Sequence, residues 1–179
     1  MLNFSELSVT RINSEAVTKP FDCGDTDLNN FLIDDAVHYL NERMAVTYMV
    51  ELRGELLAYY CLLNDKVTFD TTEAQSKSVW NSFNRKNKIP NPKRRKNYPA
   101  VKIGRLAVAS SQAGQGLGKF IIDSVKFMLL SKSDIACRFL TVDAYNTAFD
   151  FYKKNGFDFL TTEDEKEKTR VMYFDLKRV

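Results

Sequence analysis

The sequence predicts one α+β domain built on a mixed central sheet, and three observations predict it. The first is order: apolar and alternating runs interleave with helical patterns as β-α-β-β-(α)-β-α-β-α-β-β. The second is the stretch "AVKIGRLAV", residues 100–108, which is nearly all apolar apart from Lys102 and Arg105. Such a run is covered on both faces and reads as a central strand. The third is size: 179 residues, 44% hydrophobic and 12% aromatic, supply one core, so residues 1–179 read most simply as a single domain.

Each element has its own signal. "ELSVTRI" alternates and predicts a first strand. "FDCGDTDLNNFLIDDAVHYL" sets Leu28, Phe31, Leu32, Ala36 and Leu40 on one helical face, with Asp25 or Thr26 as the cap. "MAVTYMVEL" and "ELLAYYCLL" predict two strands turning at Arg53-Gly54. "TEAQSKSVWNSFN" predicts a short helix; Pro90, Pro92 and Pro99 then break the chain, and a loop is expected to about Tyr98. "GLGKFIIDSVKFMLLS" places Leu117, Phe120, Ile121, Val125, Met128 and Leu129 on one face, the mark of an amphipathic helix. "CRFLTVDA" is a further strand. "NTAFDFYKKNGF" is a short helix opened by Asn146 and closed by Gly156. "FDFL" and "TRVMYFDL" are two last strands around the charged turn "TEDEKEK". There are no internal repeats.

Composition excludes several classes. No apolar run reaches the roughly 18 residues of a membrane span. "MLNFSELSVTRIN" lacks the basic start and apolar stretch of a signal peptide, so a cytoplasmic protein is expected. Cys23, Cys61 and Cys137 are odd in number and widely spaced, which suits reduced thiols and not disulfides or a zinc site. With His38 as the sole histidine, a histidine-based metal centre or a Ser-His-Asp triad is not expected, and His38 reads as a structural helix residue.

The net charge of +3 hides an asymmetry. From Ala74 to Ile122 there is no Asp or Glu but there are eleven Lys or Arg, leaving the rest of the chain at −8. A solvated lysine-rich loop would explain "RKNKIPNPKRRKNYP" alone. The same basic stretch runs on into "VASSQAGQGLGKFI", where Gly114, Gly116 and Gly118 are three of only seven glycines. A strand, a glycine-rich loop and a helix start make a place for phosphates. Free N–H groups point outward there, the helix dipole adds partial positive charge, and missing Cβ atoms let an oxygen approach. The spacing fits neither the P-loop nor the dinucleotide-binding fingerprint, and a tight strand-to-helix turn is the plainer alternative.

"RLAVASSQAGQGLGKFIIDSV" resembles the acyl-CoA loop of the GNAT acetyltransferases, the GCN5-related superfamily. The family pattern [Q/R]-x-x-G-x-[G/A] falls on Ala113-Gly114-Gln115-Gly116-Leu117-Gly118, with Ala113 in place of the expected Gln or Arg and Gln112 beside it. "FLTVDAYNTAFDFYKKNGF" is similar to the family's second motif, about thirty residues on. "FDCGDTDLNNFLIDDA", "AYYCLL" and "KIGRLAV" look like the branch containing toxins of toxin–antitoxin pairs, which acetylate aminoacyl-tRNA.

The resemblance implies a GNAT fold, its central sheet splayed and flanked by helices, and direct acetyl transfer from acetyl-CoA to a primary amine. It implies that the pyrophosphate sits on the N–H groups of Gly114, Gly116, Gly118 and Lys119 and that Ala113, Gln115 and Leu117 complete the loop. The pantetheine arm would run along Leu106, Ala107 and Val108, pairing with the backbone of Leu106 and Val108. The Val108 N–H would hold the thioester oxygen as it gains charge, Tyr152 would protonate the leaving thiolate, and Asn146 would hydrogen-bond the CoA arm unless it is simply a helix cap. The base is open between Glu51, Asp143 and a water chain. Tyr59 and Tyr60 alternate, so one would line the acceptor pocket and the other the core; Arg105 would meet a phosphate or ribose of the acceptor. The expected partners are acetyl-CoA, an amine acceptor which in the toxin branch is tRNA, and a second copy of the chain, with no membrane and no metal. A CoA-binding module without catalysis would keep the loop and lose the acid, so Tyr152 argues against it. A separate nucleic-acid-binding domain would need a helix-turn-helix or an RNA-type aromatic sheet, and neither is present.

Overall fold

The first helix begins where Asp25 makes it begin: its carboxylate accepts the Leu28 N–H at 3.1 Å, satisfying a donor that the first turn leaves free. The computed structural model describes residues 2–14, 19–68, 74–92, 95–131, 136–162 and 164–178, the side chains of 74–76 excepted. Over these the element order is β1 (Ser8–Arg11), α1 (Thr26–Asn30), α2 (Ala36–Asn41), β2 (Val46–Leu52), β3 (Glu55–Thr68), α3 (Ala74–Lys86), β4 (Asn97–Val108), α4 (Leu117–Ser131), β5 (Phe139–Tyr145), α5 (Phe149–Lys154), β6 (Asp158–Phe159) and β7 (Thr169–Asp175). A π-helical stretch, Phe31–Asp35, links α1 to α2. One seven-stranded sheet runs β1-β2-β3-β4-β5-β7-β6. The chain passes from β4 to its sheet neighbour β5 through α4, the β1–β2, β2–β3, β5–β7 and β6–β7 pairs are antiparallel, and the sheet as a whole is mixed.

The chain packs as two compact units: residues 1–64 with 103–128, and 65–102 with 129–179. In the first unit, β2 and β3 turn at Arg53 and Gly54, both with positive φ (50° and 87°), the geometry of a tight two-residue hairpin loop. The pairing shifts register at Val50/Glu51, where Val50 faces Ala58 but Glu51 faces Leu56. The extra residue, Leu57, is the one whose carbonyl takes the Ala109 N–H at 2.8 Å, just past β4. Leu56 to Leu62 are all buried, as an interior strand demands. The core joins Ile12, Phe21, Phe31, Leu32, Ala36, Tyr59 and Ala107.

In the second unit, β5 pairs with β7 from Phe139↔Asp175 to Tyr145↔Thr169, and β6 adds Asp158↔Tyr173 and Phe159↔Met172. Here α3 lays Trp80 and Phe83 against Tyr98, Phe139 and Tyr173, a core of rings 5.0 to 6.3 Å apart.

The structure departs from the sequence reading at several ends. β3 runs on to Thr68, past the expected end at Leu63. The loop expected to reach Tyr98 ends earlier, because β4 starts at Asn97. Asn146 opens a 3₁₀ turn, Asn146–Ala148, and its side chain caps nothing; α5 starts three residues later. "FDFL" yields only the two-residue β6. Lys93 and Arg94, counted in the basic stretch, lie outside the described residues. Among the described residues no helix is long and apolar enough to cross a membrane.

Candidate active site

Each unit holds one half of the predicted site. In the first, β4 ends at Val108 and the chain is tied down twice before the glycines. The Ala109 N–H bonds Leu57 and the Ser110 N–H bonds the Asp22 carbonyl at 2.9 Å. Asp22 is itself braced: its carboxylate accepts the Gly24 N–H at 2.8 Å and the Asn29 amide at 2.9 Å, and these bonds hold its pKa below the usual carboxylate value. Gly24 has φ +81°, and a Cβ there would lie 3.5 Å from Ser110 Oγ. The anchor thus links "FDCGD" to the loop, a contact that the sequence reading missed.

After a 3₁₀ turn, Ser110–Gln112, the loop passes Ala113 and reaches Gly114 and Gly116, with φ of +76° and +84°. Beyond Gly114 a Cβ would meet nothing within 4 Å; at Gly116 it would meet Phe4 Cζ at 3.6 Å. These glycines are needed for their backbone angles, which residues with a Cβ rarely adopt, and not for want of space. Gln112, Ala113 and Gln115 turn their N–H groups back onto the loop, and Phe120 donates to the Gly116 carbonyl at 3.1 Å. Of the predicted loop donors, Gly114, Gly116, Leu117, Gly118 and Lys119 donate to no described residue. They stand at the N-terminus of a 15-residue helix, where orphan donors and the dipole together favour an anion. The Lys119 ammonium pairs with Asp123 one turn on.

At the end of the strand leading in, the Ala109 N–H is given to the Leu57 carbonyl of β3; Ala107 is buried, and Leu106 and Val108 are half-buried.

Arg105 lies in the same unit. Its guanidinium sits 3.8 Å over the Phe31 ring, at the π-helical stretch, and 5.8 Å from Tyr39. Its Nε is buried and finds no hydrogen-bond partner. Both predicted acceptor-pocket tyrosines are core: Tyr59 donates to the Leu28 carbonyl at 2.6 Å, and Tyr60 stacks on Tyr48 at 5.1 Å. The expectation that one of them lines an open pocket is corrected, since burial on both faces of β3 encloses alternate residues equally. Glu51 is held by Lys19.

In the second unit, α5 carries Tyr152, only 6% exposed, between the edges of Phe151 and Phe157 at 5.0 and 5.4 Å. Gly156 ends the helix at φ +83°, and the Phe157 N–H returns to the Tyr152 carbonyl at 3.0 Å. Burial pushes the phenol up to about 12. Its hydroxyl makes no hydrogen bond to a described residue. The Asn146 side chain is exposed, and its N–H donates to the Lys168 carbonyl at 2.9 Å. Asp143 is met by Lys102 at 2.9 Å, while Thr141, 1% exposed, donates to Asp65. Asp65 was not anticipated, because nothing local marks a residue in a strand that outlasts its apolar pattern.

A family model described as the acetyltransferase (GNAT) domain matches residues 92–178. Among solved structures, the chain is similar to AtaT complexed with acetyl-methionyl-tRNAfMet, at 27% identity over 96% of both chains with a TM-score of 0.77. It is similar to AtaTR bound with acetyl-CoA, at 28% identity over 98% of this chain and 96% of that one, TM-score 0.74. A tyrosine-to-phenylalanine mutant of KacT, 24% identical over 97% and 96% of the two chains with a TM-score of 0.73, shares the fold.

Proposed function

We propose that the chain is a GNAT acetyltransferase, an acetyl-CoA-dependent N-acetyltransferase, and that its acceptor is the α-amino group of an aminoacyl-tRNA. The observation that carries the cofactor half is the fan of five N–H groups from Gly114 to Lys119, at the start of α4, that bond no described residue. In this reading they hold the CoA pyrophosphate, with Ala113 and Gln115 shaping the turn, while Leu106 and Val108 pair with the pantetheine arm and Asn146 adds a side-chain hydrogen bond. The amine attacks the thioester carbon. The Val108 N–H takes up the oxyanion, a contribution of about 10²- to 10³-fold. The tetrahedral intermediate then expels the CoA thiolate, which takes the Tyr152 proton, and the phenolate is reprotonated from solvent or from the new ammonium. Residues 1–179 act as one acetyltransferase domain in this account.

Several observations support it. A phenol held up to about 12 remains protonated at neutral pH and is available as an acid. Glu51 and Asp143 are each engaged by a lysine, which favours the water chain as the route for the amine's proton. The tRNA acceptor rests on the likeness to AtaT with its acetylated tRNA and on the acid-free basic stretch. A cytoplasmic location fits three free cysteines, and a homodimer is part of the same reading. The test is acetyl-CoA consumption against charged tRNA, polyamines, amino acids and lysine peptides. Turnover confined to charged tRNA is expected, and turnover confined to a small amine would replace the tRNA acceptor.

A further inference from the structure

The cations of the acid-free stretch divide by what they already touch. Lys86 meets Asp158, Lys102 meets Asp143 and Asp65, Lys119 meets Asp123, and Arg105 lies on Phe31. Lys77, Arg85, Lys88, Arg95 and Lys96 pair with no carboxylate among the described residues, and all five are exposed. Three of them converge: Lys77, Arg95 and Lys96, together with Trp80, Asn81, Asn84 and Pro92, line one cavity of about 560 Å³ in the second unit, and none of the described residues on its wall is acidic.

Its floor is built. Trp80 is fixed by rings on two sides, Tyr98 at 5.0 Å and Phe83 at 5.8 Å. Asn84, 4% exposed, accepts the Tyr98 hydroxyl at 2.6 Å on its oxygen, while its Nδ2 is buried without any acceptor. A buried amide donor left unpaired is costly, and an oxygen ligand in the cavity lined by this side chain would relieve it. Three unpaired cations, an aromatic floor and an unused N–H donor match a nucleotide: phosphates for the cations, an oxygen for the amide, a base edge for the ring.

We propose that this groove between α3 and the start of β4 binds the phosphodiester backbone of an RNA acceptor, as a contact separate from the cofactor loop. The assignment rests on the tRNA reading for the identity of the RNA. Cavities of a few hundred Å³ hold nucleotide-sized groups, and a groove of cations steers a polyanion where a small amine would be repelled.

The experiment is RNA binding by the whole chain, with labelled uncharged tRNA at 50 and 200 mM salt and emission from Trp80, which is the sole tryptophan and so reports this groove. The variants are Lys77→Ala/Arg95→Ala/Lys96→Ala together, and separately Asn84→Asp, which keeps the acceptor for Tyr98 and replaces the donor by a negative charge. In the triple variant, three lost phosphate contacts should remove about 20- to 40-fold of the salt-induced weakening between the two conditions. RNA should change Trp80 emission in the parent and not in the variant. Asn84→Asp should weaken binding about tenfold or more. Acetyl-CoA binding should be unchanged in both. Equal RNA affinity and salt slope in parent and triple variant would overturn the groove, as would absence of RNA binding by the parent, or displacement of RNA by poly-glutamate at equal charge. Acetylation of charged tRNA separates the two ideas. Unchanged acetylation and RNA binding in the triple variant sinks the groove and keeps the acceptor; groove-dependent binding without acetylation sinks the acceptor and keeps the groove.

Discussion

Tyr152→Phe removes one oxygen and nothing else. The rings of Phe151 and Phe157 pack on the edges of a ring that the variant retains. The hydroxyl holds no described residue, so its loss breaks no hydrogen bond among the described residues. The fold should therefore be unaltered or slightly more stable, since a poorly solvated hydroxyl is removed. Chemistry is another matter. A positioned acid contributes about 10²- to 10⁴-fold, so the barrier should rise by about 3 to 5 kcal/mol. The drop should appear in kcat at saturating acetyl-CoA with the KM for acetyl-CoA unchanged, because proton donation occurs only after attack. The assay is steady-state acetyl transfer to the true acceptor, with CoA binding measured beside it by thermal shift. A kcat equal to that of the parent would refute the role. A parallel loss of CoA binding would show that Tyr152 is structural.

The phenol also predicts a pH effect on stability. Its folded pKa, about 12, lies above the ordinary value of 10.0 because burial disfavours the phenolate. The neutral ring thus contributes fully below pH 10, and the contribution is lost as pH rises toward 12. Two units correspond to about 2 to 3 kcal/mol. Tyr152→Phe, which cannot ionise, should gain on the parent by that order between pH 10 and 12 in denaturant titrations. Parallel curves would show that the tyrosine ionises freely.

Three further outcomes follow from the first unit. Gly116→Ala should lose the acetyl-CoA thermal shift, since a residue with a Cβ held at φ +84° costs about 1 to 2 kcal/mol and the loop relaxes away from its donors; a CoA affinity like the parent's would remove the loop from the cofactor site. Asp22→Ala should raise the KM for acetyl-CoA several-fold with kcat little changed, because its carboxylate shapes the turn whose carbonyl holds Ser110; an unchanged KM would detach that anchor from the loop. Arg105→Ala should destabilise by about 1 to 2 kcal/mol in denaturant unfolding through loss of the Phe31 stack, and an unchanged midpoint would show that the stack contributes nothing.

The parts of this protein legible in its sequence are those written locally. Asp25 at the cap, Arg53-Gly54 at the turn, the glycines before α4 and the apolar face behind them each act within a few residues, and each appears where its chemistry put it. Illegible were features satisfied from far along the chain. Arg105 on a central strand looks available to a ligand until Phe31, seventy-four residues upstream, is found beneath it. Asp65 prolongs β3 past its apolar run because Thr141 donates to it from β5. Tyr59 and Tyr60 alternate as expected, yet an interior strand has no outer face to offer either. Asp22 reads as a loop residue, and only the fold reveals that its carbonyl fixes the start of the glycine loop.

These long-range pairings also decide what the charge asymmetry is for. In the proposed function a cofactor pyrophosphate would be met by backbone N–H groups, and the one lysine in that loop is already paired with Asp123. Side-chain cations would then not be the principal means of holding CoA. A surplus of positive charge without a structural partner is a self-repelling burden on the folded state. Of the acid-free stretch, Lys86, Lys102 and Arg105 are relieved internally, by two aspartates, a third at longer range, and an aromatic ring. Lys77, Arg85, Lys88, Arg95 and Lys96 are not relieved among the described residues, and three of them, Lys77, Arg95 and Lys96, line one cavity. These three meet on a wall whose described residues include no carboxylate. Their arrangement is explained if the neutralising charge arrives with the acceptor, and salt then becomes the discriminating variable: transfer to an RNA-borne amine should weaken steeply as salt rises, while CoA binding, held chiefly by neutral donors, should weaken far less.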